Sequence, residues 1–103
     1  MDRLAELEKM LRDNPHDPFL HYGIALEIAN RGDVPEAIAR LERLLSEKPD
    51  YLGAYYQLGQ YYELEENTEE AIDTYRRGMI IAQQQKNAKT LGELRSALEL
   101  LED

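Results

Sequence analysis

Residues 33–45 read DVPEAIARLERLL, and the same pattern returns 34 positions later as NTEEAIDTYRRGM over residues 67–79. Within these stretches, the tripeptide Glu-Ala-Ile at 36–38 reappears unchanged at 70–72. A fixed period of this length is typical of proteins built from repeated supersecondary units. The chain is therefore predicted to contain two copies of one structural unit.

The period continues on both sides of this stretch. Tyr22 returns as Tyr56, and Pro15 returns as Pro49. The apolar residues at positions 4, 7, 10 and 11 stand one period before those at 38, 41, 44 and 45. The N-terminal segment is therefore interpreted as the second half of a unit, and it is followed by two full units and a C-terminal remainder.

Apolar residues at helical spacing, interrupted by proline and glycine, predict six helices and no strand. The second unit has Gln83 where Pro15 and Pro49 lead us to expect a proline, so its second helix should run about a turn longer than that of the first unit. Short connections predict that consecutive helices pack as antiparallel neighbours. The expected helices are 2–13, 18–31, 34–47, 51–65, 68–85 and 88–102.

The turns inside the units carry recognisable signals. Gly32 can supply the left-handed turn that ends a helix. Asp33 and Asn67, each followed three residues later by glutamate, are predicted helix N-caps. Thr90, followed by Glu93, is predicted to cap the last helix in the same way.

Small and large residues recur at fixed positions. Ala25 and Gly59 stand in the first helix of each unit, whereas Leu41 and Tyr75 stand in the second. We expect the small residues where two helices approach closely and the large ones packed beside them. The leucines at positions 91, 94, 98 and 101 are expected to cover the apolar flank of helix 68–85.

Composition restricts the classes of function. A chain of 103 residues is expected to form one domain over 1–103. The absence of cysteine rules out disulfides and thiolate metal sites. No secretion signal follows Met1, and no apolar run approaches the ~20 residues that span a bilayer. We therefore expect a cytoplasmic protein without a membrane partner.

The chain is acidic, with a net charge of −9. Its acidic surface would repel phosphate backbones, so nucleic acid is not an expected partner. The acidic cluster has two interpretations: a solvated helix end and turn that aids solubility, or a docking patch for a basic partner segment. Its members are Glu63, Glu65, Glu66, Glu69, Glu70 and Asp73.

Catalytic and metal-binding patterns are absent from the sequence. His16 and His21 are the only histidines, and no further histidine or cysteine stands at ligand spacing. His21 is expected to pack between helices. No phosphate-binding loop and no nucleophile elbow is present. We expect no cofactor, no metal and no enzymatic activity.

Taken together, these residues resemble the tetratricopeptide repeat. The resemblance covers about residues 18–85, with repeat 1 at 18–51, repeat 2 at 52–85, a half-repeat helix at 2–13 and a capping helix at 88–102. In the second repeat the signature positions are Tyr55, Leu58, Gly59, Tyr62, Ala71 and Tyr75. In the first they are His21, Ile24, Ala25, Ile28, Gly32, Ala37, Leu41, Leu44 and Pro49.

The resemblance implies an all-α fold, a short α-solenoid of stacked antiparallel helix pairs that form a right-handed superhelix. It also implies a concave groove, lined by the first helix of each pair, that holds a peptide or partner protein. The groove residues would be Phe19, Tyr22, Leu26, Ala29, Asn30, Tyr56, Gln60 and Glu63. Some family members grip a carboxylate with Lys and Asn at the positions of Tyr22 and Leu26, so that subtype is rejected here.

Two functions follow as expectations. The first is a non-catalytic interaction module that binds a protein or peptide in its groove, because an aromatic and apolar groove suits an extended or helical peptide. The alternative is a structural scaffold module that associates with itself as a homo-oligomer, because few repeats form a barely stable stack. Phe19, Tyr22 and Tyr56 could also simply cover the seam between repeats.

Overall fold

The computed structural model describes residues 2–102, and every regular element in that range is an α-helix. Met1 and Asp103 lie outside the described residues. The helices are α1 (Arg3–Asp13), α2 (Pro18–Asn30), α3 (Val34–Glu47), α4 (Gly53–Leu64), α5 (Thr68–Gln84) and α6 (Ala88–Leu101). The prediction of six helices without a strand is confirmed for the described part of the chain.

Two predictions about helix length meet different outcomes. With 17 residues, α5 is longer than α3, which has 14, as the missing proline predicts. The expected start of α4 at residue 51 is two residues early. Tyr51 and Leu52 instead form a turn, in which the Tyr51 carbonyl accepts a hydrogen bond from the Ala54 N–H at 3.2 Å.

The chain divides into two compact units, Met1–Lys48 with α1 to α3 and Pro49–Asp103 with α4 to α6. That the whole of residues 1–103 behaves as one domain stays a prediction. The two units contain equivalent helix pairs, α2 with α3 and α4 with α5, as the sequence period predicts.

In the first unit, α2 contacts both α1 and α3. Leu7, Leu20 and Ile24 form a buried cluster between α1 and α2. An ion pair between Arg3 and Glu27 (4.0 Å) joins the start of α1 to the end of α2, so the two helices run antiparallel. The pair is long and its Arg3 side is exposed, so it is worth little by itself, and the apolar cluster supplies most of the stabilisation.

In the second unit, α5 lies between α4 and α6 and contacts both. At Gly78 a Cβ atom would lie 2.7 Å from Tyr55 Cβ on α4 and 3.0 Å from Leu94 Cδ1 on α6. The glycine therefore permits close approach on both sides. Leu94 and Leu98 are buried, so the leucine stripe of α6 does pack on α5, as predicted.

The turns α2–α3, α4–α5 and α5–α6 share one backbone design. In each, the residue after the helix cap has a positive φ, 99° at Gly32, 58° at Glu66 and 57° at Lys86. In each, the next residue donates its backbone N–H to the carbonyl five positions earlier, for example Asn67 to Tyr62 at 2.9 Å. This is the hydrogen bonding of a Schellman turn, which satisfies the free carbonyls at a helix end.

The same three turns also start the following helix in one way. The side chains of Asp33 and Asn67 accept a hydrogen bond from the backbone N–H three residues later, which confirms the predicted caps. The prediction of Thr90 as the cap of α6 is wrong. Asn87 is the cap, and its Oδ1 accepts from the Thr90 N–H at 3.0 Å. Asn87 is the residue directly before α6, where an asparagine side chain can accept a hydrogen bond from the third N–H of the helix.

Candidate functional site

An open groove lies between α4 and α6 in the second unit, with a volume of about 680 Å³. Tyr56 and Leu100 are its exposed large apolar side chains, with 38% and 82% of their surface accessible. Exposed apolar surface beside polar groups is typical of an interaction site. The lining residues are Tyr56, Gln60 and Glu63 from α4 and Lys89, Gly92, Glu93, Ser96, Ala97 and Leu100 from α6.

A hydrogen-bonded network forms the α4 side of this groove. The Gln60 side-chain N–H donates to the Tyr75 hydroxyl at 2.6 Å, and that hydroxyl donates to Glu63 Oε2. Gln60 also donates to Glu63 Oε2 at 3.3 Å. The ring centroid of Tyr75 lies 6.2 Å from that of Tyr56, with the rings inclined by 45°. Tyr75 thereby links the buried core of the unit to its exposed face.

The position of the Tyr75 ring depends on glycine at position 59. A Cβ atom at Gly59 would lie 2.6 Å from Tyr75 Cζ, which is shorter than the van der Waals contact distance between two carbon atoms. Tyr75 is fully buried, so its ring fills the space that this glycine leaves. The helical position that the sequence predicts as a site of close approach is therefore confirmed.

The electrostatics of the network keep the phenol protonated. Burial raises the pKa of Tyr75 well above its ordinary value, and the hydrogen bond to Glu63 and the negative charge of Glu63 raise it further. The Tyr75 hydroxyl is therefore a permanent donor near neutral pH, and Glu63 receives its hydrogen bonds from two uncharged groups.

The two predicted halves of the groove lie in different units. Tyr56, Gln60 and Glu63 line the groove of the second unit together. The other five predicted residues lie on α2 in the first unit. Of these, Phe19 and Asn30 are exposed, whereas Tyr22, Leu26 and Ala29 are half-buried. Burial raises the pKa of the Tyr22 phenol.

The residues of α6 are the part of the site that the sequence analysis missed. The leucine stripe predicts a covering helix and gives no information about the opposite face of α6. That face bears Lys89, Glu93 and Ser96 at helical spacing, which is the signal that could have identified it.

Neither histidine lies in the groove. The ring Nε2 of His21 is 2.8 Å from the Pro15 carbonyl oxygen, and this contact ties α2 to the turn before it. The side chain is half-buried, and its packing between helices stays a prediction. Over residues 2–102, no group of three or more metal-binding side chains comes together, and no helix combines the length and apolar character needed to cross a membrane.

The helix pairs and their turns define an all-α repeat protein, and its family follows from comparison with known proteins. The model of the tetratricopeptide repeat matches residues 30–94, which is more than half of the chain. The chain belongs to the tetratricopeptide repeat family, and the predicted resemblance is confirmed.

Two similar proteins support this assignment, and a third has the same fold. A TPR repeat-containing protein of Methanocaldococcus jannaschii is 34% identical over 79 residues, which are 77% of this chain and 24% of that protein. This chain therefore spans about a quarter of its length. A tetratricopeptide repeat domain protein of Salinibacter ruber, solved by NMR, has a TM-score of 0.82 and 40% identity, covering 85% of this chain and 89% of that one. The TPR protein YrrB has a TM-score of 0.74 and 22% identity, covering 90% and 46%.

Proposed function

We propose that this chain is a non-catalytic interaction module that binds a protein or peptide segment in the groove between α4 and α6. The observation that carries this proposal is the groove itself, about 680 Å³ and open to solvent, with Tyr56 and Leu100 exposed in its lining. Tetratricopeptide repeat domains typically bind protein or peptide partners, and YrrB is described as having an unusual peptide-binding site.

The lining suits a peptide for physical reasons. Tyr56 and Leu100 offer apolar area that a partner side chain would cover, at about 25 cal/mol for each Å² removed from water. Gln60 and Ser96 offer hydrogen-bonding groups to a peptide backbone. We propose the predicted residues of α2, Phe19 and Tyr22 among them, as a separate partner-binding surface of the first unit.

Selection from a random peptide library tests this proposal. The immobilised chain is panned against displayed peptides of about 12 residues, which reach ~40 Å when extended. We expect enrichment of a peptide family whose binding falls by at least about tenfold in Tyr56→Ala, the loss typical of an aromatic anchor. Circular dichroism verifies that the variant keeps its helices.

Leu64→Ala is the matched control, because Leu64 also lies on α4 and is 67% exposed but does not line the groove. Equal loss of binding in both variants would move the binding surface away from the groove. Failure of the library to enrich any peptide would count against the proposed function itself.

Self-association is the second candidate function, and exposed apolar side chains in the first unit favour it. Met10 on α1 and Phe19 on α2 are 52% and 66% exposed. Light scattering across a concentration series should then show a mass that rises with concentration and returns to that of the monomer in Phe19→Ser. A constant monomer mass for the unmodified chain would exclude this function.

A further inference from the structure

We propose that the groove between α4 and α6 selects a basic segment, with an arginine or lysine side chain placed against Glu63 and an apolar neighbour on Tyr56 and Leu100. This inference rests on the proposed function and specifies the chemistry of the partner. It also gives a docking role to Glu63, the member of the acidic cluster that lines the groove.

The first argument is the state of Glu63. Its carboxylate accepts hydrogen bonds from the Tyr75 hydroxyl and the Gln60 side chain, both of them neutral. These donors hold the carboxylate in place in the groove wall but leave its negative charge uncompensated. A half-buried carboxylate with a fixed orientation favours a cation, because a charge-assisted hydrogen bond is about twice as strong as a neutral one.

The second argument is the charge of the surroundings. Glu93 is a second carboxylate in the groove wall, and Lys89 is the one cation among the lining residues. The acidic cluster continues from Glu63 through the exposed turn between α4 and α5 into the first turns of α5. In a chain of net charge −9, this field attracts basic segments and repels acidic ones.

The third argument is the aromatic wall. Tyr56 is partly exposed in the groove beside Tyr75, so its ring offers an aromatic face to a basic side chain bound there. The same unit already contains such a pair, since the guanidinium carbon of Arg77 lies 5.6 Å from the centre of the Tyr55 ring. Cation–π attraction of this kind favours arginine over a neutral side chain.

Three synthetic peptides test the inference directly. They are acetylated, amidated, composed of leucine, alanine and serine, and identical except for a central arginine, glutamine or glutamate. Isothermal titration should show that the arginine peptide binds about tenfold more tightly than the glutamine peptide. The glutamate peptide should bind most weakly, and the preference for arginine should fall as salt is added.

Two matched variants locate the selectivity. Glu63→Gln keeps a carbonyl that can accept from Tyr75 but removes the charge, so the arginine preference should largely disappear. Glu69→Gln changes the net charge equally at an exposed position outside the groove and should keep most of the preference. Glu93→Gln, at an exposed position without a role in the Tyr75 network, is a second test if Glu63→Gln loses helicity.

The outcomes separate this inference from the proposed function. Binding of all three peptides with equal affinity, or tightest binding of the glutamate peptide, would overturn the basic-segment inference and leave the groove as a binding site. An equal effect of Glu63→Gln and Glu69→Gln would attribute the preference to the general field and overturn the groove contact. Binding of none, together with a library that enriches nothing, would overturn both.

Discussion

In the first unit Ala25 and Leu41 are fully buried, whereas the equivalent positions of the second unit hold Gly59 and Tyr75. Ala25 and Leu41 combine a methyl group with a medium-sized side chain. Gly59 and Tyr75 combine the absence of a side chain with a large ring. Total volume is roughly conserved, which is how a packed interior tolerates exchange of its parts. Two positions of a repeat can thus change together between units without disrupting the packing of the helix pair.

The exchange also changes what reaches the surface. The hydroxyl of Tyr75 bonds to Gln60 and Glu63, and the equivalent positions in the first unit are the apolar Leu26 and Ala29. A leucine at position 41 has no hydroxyl that needs a partner. A substitution in the core can thus accompany the change of a helix face from apolar to polar. The polar face of the second unit is part of the candidate site.

Gly59→Ala is expected to have the largest effect on the packing of the second unit. The new methyl group would collide with the buried Tyr75 ring, so we expect the free energy of unfolding to fall by about 3 kcal/mol. The double variant Gly59→Ala/Tyr75→Leu reproduces the pair of the first unit and should recover most of this loss. Chemical denaturation of the single and double variants measures the coupling.

Gly92→Ala is the control for that experiment. A Cβ atom at Gly92 on α6 would have no neighbour within 4 Å, so alanine should stabilise the helix by about 0.5–1 kcal/mol through its higher helix propensity. If Gly59→Ala were as harmless as Gly92→Ala, the close approach of Gly59 to Tyr75 would be disproved.

Tyr75→Phe removes the hydroxyl and keeps the ring. Glu63 then loses a donor, so we expect a destabilisation of about 1.5 kcal/mol at neutral pH. The pKa of Tyr75 is raised in the folded chain. The contribution of its hydroxyl to the free energy of unfolding is therefore fully present below pH 10.0, the ordinary pKa, and is lost as the pH rises through the folded-state pKa.

Urea denaturation of both chains across the alkaline range measures this effect. The difference in unfolding free energy should stay constant below pH 10.0 and narrow above it. A difference that widens with pH would contradict the assignment of the Tyr75 hydroxyl as a donor to Glu63.

Thr74, the neighbour of Tyr75 on α5, is a second position at which the two units differ. Thr74 is fully buried, and within residues 2–102 its Oγ1 finds no hydrogen-bond partner, whereas the equivalent Arg40 pairs with Glu36 at 3.0 Å. Valine has nearly the same shape without the hydroxyl, so thermal unfolding of Thr74→Val should show a gain of about 1 kcal/mol. Thr68→Val, at an exposed position of the same helix, should change stability far less.

The smallest expected effect concerns the turns. Glu66 has the left-handed conformation that Gly32 has in the first unit, with φ of 58° and 99°. Glu66→Gly relieves the strain of a side chain there but increases the freedom of the unfolded chain, so we expect a net gain of about 0.5 kcal/mol. Gly32→Ala should have the opposite sign. A loss of stability on Glu66→Gly, measured at high salt to suppress charge effects, would contradict this.

Helix number and most helix bounds could be predicted from the sequence because local signals mark them. Gly32, Asp33 and Asn67 act through contacts within a few residues, and such contacts depend little on the rest of the fold. The prediction of Thr90 as the cap of α6 is wrong because Thr90 is followed three residues later by Glu93, whereas the actual cap, Asn87, has Thr90 at that position and so lacks the glutamate of the pattern. Asn87 and Thr90 are both residues that can cap a helix. The glutamate pattern does not identify the correct one, because the cap is determined by the residue at which the helix begins.

The groove could be predicted only in part because it joins helices that are distant in sequence. Tyr56, Gln60 and Glu63 followed from the family resemblance, and the structure gathers them in one wall. Which residues form the opposite wall depends on which face of α6 packs against α5. Although α6 starts 35 residues after α4, its residues do not repeat the pattern of α4, so Leu100 could not be placed by repetition.

Because the α5–α6 turn repeats the hairpin geometry of the other two, the three connections form interchangeable parts. The short segment around Gly32 and Asp33 could replace that around Lys86 and Asn87 with the helices left in place. Each helix–turn–helix hairpin could thus serve as a module in protein engineering. The array could be extended or reordered by joining segments at these three turns.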